Sequence, residues 1–241
     1  MPAARTSSVV RAACGLLFAQ FLLAGPAAAL DARYLAEDAV DLRALLPAPP
    51  AAGSPADEAD LEAVLRAQEA RTPATTAAAQ ADAQVSVFRV GDVLGPAFDT
   101  SRLPLTTALY REIGRDATAV VVRAKKYWKR PRPPQASDRV KPVVETTSND
   151  SYPSGHALYG CLVGALLGLM VPEQRAALLA RGDAFAWNRV VGGAHYPTDV
   201  AAGCTSGKII AAVLLQNPRF RADLAAARDE SRRVLGLAPA R

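Results

Sequence analysis

Apolar residues recur along this chain at the spacing of a helix face, and no stretch of useful length alternates apolar with polar residues as a half-buried strand would. That pattern argues against a sheet. Prolines punctuate it. Ser54-Pro55 and Thr72-Pro73 each pair a helix-capping side chain with a proline at the first helical position. Between them, residues 56–71 place Leu61, Val64 and Leu65 on one face, with acids early and arginines late. The same reading predicts an amphipathic helix over 30–46, another after Pro73, and a long one from about Leu103 to Trp128 that the proline-rich "KRPRPP" ends. A polar, irregular segment follows to Pro153. Then come helices near 154–170, 173–190 and 197–215 and a charged tail helix. Abundant alanine favours all of them. The expected fold is all-α, a single compact multi-helix domain over residues 30–241.

Residues 1–29 stand apart from that domain. Arg5 and Arg11 precede a short apolar core, "ACGLLFAQFLLAG", and "AAA" at 27–29 offers a small-residue cleavage site. This is the layout of a secretory signal peptide. The apolar core falls short of the ~20 residues that span a bilayer. The mature chain is therefore expected to begin near Leu30, in the periplasm, with no membrane insertion after processing.

Taking Arg5 and Arg11 from the 28 basic residues leaves 26 against 23 acidic ones, too mild a balance to recruit nucleic acid, and no basic stripe is interleaved with aromatics. Two cysteines, Cys161 and Cys204, outlast processing. In an exported protein they pair, or they stay as two small buried thiols, and composition leaves both open.

Chemistry concentrates in three separated segments. In "KKYWKRPRP", Lys125 and Arg132 are phosphate-compatible cations at a helix end, one a compact charge and one a planar fork. A solvated basic helix end accounts for Lys126, Lys129 and Arg130 equally well. In "YPSGH", Ser154 can cap a helix, Gly155 permits close backbone approach, and the free N–H groups of the first turn suit an anion beside His156. The plain alternative is a capped helix with an incidental histidine. Gly-x-Ser-x-Gly is absent, which argues against Ser154 as a hydrolase nucleophile. In "NRVVGGAHYPTD", Arg189 adds a third cation, and Asp199 lies four residues after His195. A carboxylate there can hold the Nδ1 proton and leave Nε2 free as a nucleophile. A structural His–Asp bond is the competing reading. A metal held by His156, His195 and Asp199 is disfavoured, since no zinc signature occurs and three converging cations repel a metal.

Taken in order, Lys125-x6-Arg132-Pro133, Pro153-Ser154-Gly155-His156 and Arg189-x5-His195-x3-Asp199 resemble a tripartite phosphatase signature. It is shared by bacterial class A non-specific acid phosphatases, type 2 phosphatidic acid phosphatases and vanadium-dependent haloperoxidases. "LLPAPPAAGSPADEADLEAVLRAQEARTP" and "GAHYPTDVAAG" resemble the class A enzymes in particular. One departure is Asn188, where the family usually has serine, which implies a changed layer behind the site.

The resemblance implies a helical bundle and an acid phosphatase of broad range, acting on nucleotides, sugar phosphates and aryl phosphates without a cofactor or metal. Lys125, Arg132, Ser154, Gly155 and Arg189 then bind phosphate, His195 attacks phosphorus, Asp199 orients it, and protonated His156 serves the leaving group. Self-association is common among such relatives. A lipid or pyrophosphate phosphatase, or a haloperoxidase holding vanadate, shares the motif and stands as the alternative. Cys161 and Cys204 each lie five residues past a site residue, a placement that could bring them together as a disulfide joining two catalytic helices.

Overall fold

The computed structural model describes residues 34–36, 38–145 and 150–239, so the leader expected at 1–29 lies outside the described residues. Among them the regular structure is helical: α1 Leu42–Leu45, α2 Pro55–Glu69, α3 Pro73–Ala81, α4 Val87–Val90, α5 Pro104–Trp128, α6 Pro133–Ala136, α7 Gly155–Met170, α8 Arg175–Val191, α9 Pro197–Leu214 and α10 Pro218–Val234. The two cap-and-proline starts hold. Ser54 Oγ accepts from the Asp57 amide, and Thr72 forms a reciprocal capping box with Thr75. α5 lacks a side-chain cap of its own. Glu230 of α10 supplies one from a distance, its carboxylate accepting the amides of Leu105 and Thr106 at 2.9 and 2.8 Å.

Of the helix expected over 30–46, the described residues keep only the single turn of α1. The reason is a buried carboxylate. Asp116 on α5 accepts the backbone N–H groups of Tyr34 and Leu35 at 2.8 and 3.1 Å, so these donors are satisfied without a helix. Tyr34, Leu35, Val40, Leu42 and Leu46 still reach the core from this irregular path.

α7 is the axis of the fold. It is apolar all round, and its Leu158, Leu162, Val163, Leu166 and Leu167 are buried. Small residues let its neighbours approach backbone to backbone. A Cβ on Gly182 of α8 would sit 2.6 Å from the Gly160 carbonyl oxygen. Cβ atoms on Gly203 and Gly207 of α9 would sit 2.4 Å from the carbonyl oxygens of Ser154 and Leu158. α8 thus runs antiparallel to α7 and α9 parallel to it. The start of α7, the end of α8 and the start of α9 meet at one end. The Cys161–Cys204 disulfide, with Cα atoms 5.1 Å apart, joins α7 to α9 just behind that end.

Among the described residues no single helix is long and apolar enough to cross a membrane.

Candidate active site

Every candidate residue with a long side chain reaches the same end of the bundle. Lys125 lies in the last turn of α5. That helix stops because Lys129 adopts a left-handed conformation (φ 49°), which turns the chain inward toward Arg132 at the start of α6. The returning strand of chain is pinned there, with Pro131 bridged to Asp150 and the Ser151 amide donating to the Arg130 carbonyl at 2.7 Å. Ser154 caps α7, its Oγ accepting the Ala157 amide at 3.3 Å, and its own N–H donates to the Asp199 carbonyl at 3.0 Å. Gly155 and His156 open α7. Arg189 lies in the last turn of α8, and its carbonyl accepts the amides of Ala194 and His195 at 3.0 and 3.3 Å. The intervening turn needs a glycine at Gly193, where φ is 74° and a side chain would meet the Pro142 Cα at 3.2 Å.

His195 and Asp199 are 1% and 0% exposed, and the imidazole is held from both sides. Nδ1 lies 3.2 Å from Asp199 Oδ2. Nε2 lies 2.8 Å from Nη1 of Arg132. A guanidinium only donates, so Nε2 must accept, and the ring proton belongs on Nδ1 against the carboxylate. This is the tautomer of a nitrogen nucleophile. Burial keeps the ring neutral, holding His195 well below the usual histidine range against the pull of Asp199. Burial raises the Asp199 carboxyl, but the His195 N–H, the Arg130 guanidinium and the Ser151 hydroxyl outweigh it and hold the group ionised.

Two further cations, Lys125 and Arg189, reach this end of the bundle. Lys125 donates to the carbonyls of Asp150 and Ser151 at 2.8 and 3.1 Å, and burial with the nearby Arg132 charge brings it down to about 7. Burial and the Arg132 charge bring Arg189 down to about 10. Arg189 is almost fully enclosed, and its Nε and Nη1 have no hydrogen-bond partner among the described residues. Buried N–H groups left unpaired are costly, and an anion with several oxygens is the natural complement.

His156 differs. Its Nε2 lies 3.0 Å from the Ala83 carbonyl oxygen, which can only accept, so this nitrogen keeps its proton and Nδ1 is the atom that titrates. Burial, followed by the Arg189, Arg132 and Lys125 charges, lowers the group to about 4 despite that bond. Protein groups alone thus favour the neutral ring, where a proton donor was expected. A bound phosphate acts in the opposite sense, because its negative charge offsets the three cations.

Several residues that hold the site escaped the sequence reading. Arg130, expected at a solvated helix end with Lys126 and Lys129, is instead buried behind the dyad. The left-handed turn at Lys129 separates it from the two exposed lysines. Its guanidinium donates to Asp199 Oδ1 and Asp57 Oδ1 at 2.8 Å and to Asp60 Oδ2 at 2.9 Å, and it lies 3.9 Å over the Tyr196 ring. Thr198 also donates to Asp60. Ser151 donates to Asp199 Oδ2 at 2.5 Å and lies 3.3 Å from His195 Nδ1. The only local signal was the placement of Asp57 and Asp60 three apart on α2. Asn188 donates to Asp82 Oδ2 at 2.8 Å. The two cysteines of the disulfide lie with Asp183 in a group close enough to bracket a metal ion, but their sulfurs are bonded to each other.

A family model described as the PAP2 superfamily matches residues 106–223. The chain is 34% identical over 206 residues to a non-specific acid phosphatase of Salmonella typhimurium, covering 80% of this chain and 81% of that protein. It is 32% identical over 216 residues to one of Salmonella typhi, covering 85% of each. An acid phosphatase of Zymomonas mobilis is 32% identical over 194 residues, covering 76% of this chain and 72% of that protein.

Proposed function

The chain belongs to the PAP2 superfamily as a non-specific acid phosphatase, and from that membership we propose that it hydrolyses small phosphomonoesters through a phosphohistidine on His195. The observation that carries this reading is the His195 ring, held between Asp199 on Nδ1 and Arg132 on Nε2. The phosphoryl oxygens lie among Lys125, Arg132 and Arg189, with Ser154 and the Gly155 amide at the start of α7.

In the first step Nε2 of His195 attacks phosphorus, a P–N bond forms, and the ester P–O bond breaks. The leaving oxygen takes the Nδ1 proton of His156. Asp199 stabilises the positive charge that develops on the attacking ring. In the second step water adds to phosphorus, its proton passes to His156, and the P–N bond breaks to release phosphate. The cations supply the charge stabilisation that a metal supplies in other phosphoryl-transfer sites, so no metal is needed.

A range spanning nucleotides, sugar phosphates and aryl phosphates fits a cradle that contacts only the phosphoryl group. Two relatives carry the name non-specific acid phosphatase. Export follows from the layout of residues 1–29, and sequencing the amino terminus of the mature protein checks it.

The mechanism is tested with EDTA-treated enzyme and radiolabelled substrate, quenched in base. A base-stable, acid-labile label on wild type and none on His195→Ala is expected. Loss of activity on EDTA treatment, restored by Zn²⁺, would overturn the metal-free reading.

A further inference from the structure

Asp82, the residue that ends α3, is buried, and four N–H groups converge on its carboxylate. Arg181 donates through Nη1 to Oδ2 at 2.9 Å and through Nη2 to Oδ1 at 2.7 Å. Arg89 donates to Oδ1 at 2.9 Å and Asn188 to Oδ2 at 2.8 Å. A carboxylate at a helix C-terminus opposes the helix dipole, and glycine or asparagine is the usual choice there. Helix stability therefore does not explain Asp82. A buried ion pair is also a poor source of net stability, whereas it fixes geometry well.

The geometry it fixes is that of the next residue. The Ala83 carbonyl is the group that receives Nε2–H of His156. Asn188 and Arg181 come from α8, the helix that carries Arg189, and Phe185 of the same helix stacks on the His156 ring with centroids 6.3 Å apart. One carboxylate thereby ties α3, α4 and α8 together at the point where the chain presents a single acceptor to His156.

We propose that Asp82 and its partner Asn188 are positioning residues for the leaving-group acid. They hold the Ala83 carbonyl against His156 Nε2, which keeps the proton on that nitrogen and turns Nδ1 toward the leaving oxygen. The proposal rests on His156 acting as that acid. It adds that the polar layer behind the site sets how well poor leaving groups are served, leaving phosphate binding untouched.

The test compares dinitrophenyl, p-nitrophenyl and phenyl phosphate on wild type, Asp82→Asn, Asn188→Ala and His156→Ala. Acid catalysis matters more as the leaving group worsens. His156→Ala should lose little on the dinitrophenyl ester and most on the phenyl ester. Asp82→Asn should follow the same trend more weakly, losing on the order of 10-fold on the phenyl ester. Adding it to His156→Ala should cost little more, because the two act through one group. Inhibition by inorganic phosphate should not change. Should Asp82→Asn fail to fold, Asn188→Ala removes a single donor and carries the same comparison. An equal loss on all three esters, or none, in the Asp82 and Asn188 variants while His156→Ala stays graded overturns this proposal alone. A flat profile for His156→Ala overturns the acid assignment and this proposal with it.

Discussion

Arg132 and His195 meet nitrogen to nitrogen, with Nη1 2.8 Å from Nε2. In the proposed mechanism the cation that serves a phosphoryl oxygen therefore also covers the lone pair that attacks phosphorus. On that reading substrate draws the guanidinium onto itself before His195 is free.

This makes Arg132→Ala informative in two opposite directions. Its kcat/KM should fall by roughly 10²–10³-fold, as for loss of one strong transition-state donor. Its His195 should react faster with diethyl pyrocarbonate, because the lone pair is uncovered. The chain has two histidines, so mass spectrometry of the modified protein assigns the site. Slower modification of His195 in the variant would contradict the pairing.

Arg130 predicts a stability effect. It pairs with Asp57, Asp60 and Asp199 at once, and Arg130→Ala leaves the three carboxylates without that shared counter-charge. Removing one partner of a buried ionic group costs about 3–5 kcal/mol. Urea denaturation checks this, and a cost below about 1 kcal/mol would mean that Arg130 is not the counter-charge described.

Phosphate binding should weaken as pH rises through neutrality. Lys125 is lowered to about 7, so it is charged below that pH and loses its charge above it. Competitive inhibition by inorganic phosphate, followed from pH 5.5 to 8.5, should decline in wild type above pH 7, flattening in Lys125→Met.

Stability should move the other way. An unfolded histidine takes up its proton near 6.5, whereas folded His156 does so only near 4, so the unfolded chain binds more protons between those values. Stability falls as pH drops through that window, by at most about 1.4 kcal/mol per pH unit for each such group. Buried His195 is shifted in the same direction. Thermal melts at pH 6.5 and 4.5 should show the loss, a smaller loss in His156→Ala, and partial recovery with added phosphate, which binds only the folded state.

Breaking the Cys161–Cys204 bond should cost about 2–4 kcal/mol, read as a lower melting temperature for the Cys161→Ser/Cys204→Ser double variant. Its activity at 25 °C should persist, because the close contacts at Gly203 and Gly207 hold α7 and α9 together independently.

Local signals recovered the helices well where proline and a capping side chain coincide, as at Ser54-Pro55 and Thr72-Pro73. They failed at 34–41, where the periodicity is real but the deciding group is Asp116, far along the chain. The same division runs through the site. His195 and Asp199 are four apart, and their pairing is readable from spacing. Arg130 is not readable in this way, since a left-handed residue before it and two acids on α2 decide its place. The setting of His156 was not readable for a related reason. Burial comes first and three cations from three elements add to it, and both exist only in the folded chain.

The seams at Gly160, Gly182, Gly203 and Gly207 have no slack for even one methyl group. The end of the bundle that carries His156, Arg189, His195 and Asp199 is therefore closed to gradual redesign by side-chain growth. New substrate preference, whether selected or engineered, has to enter through parts of the chain outside those seams.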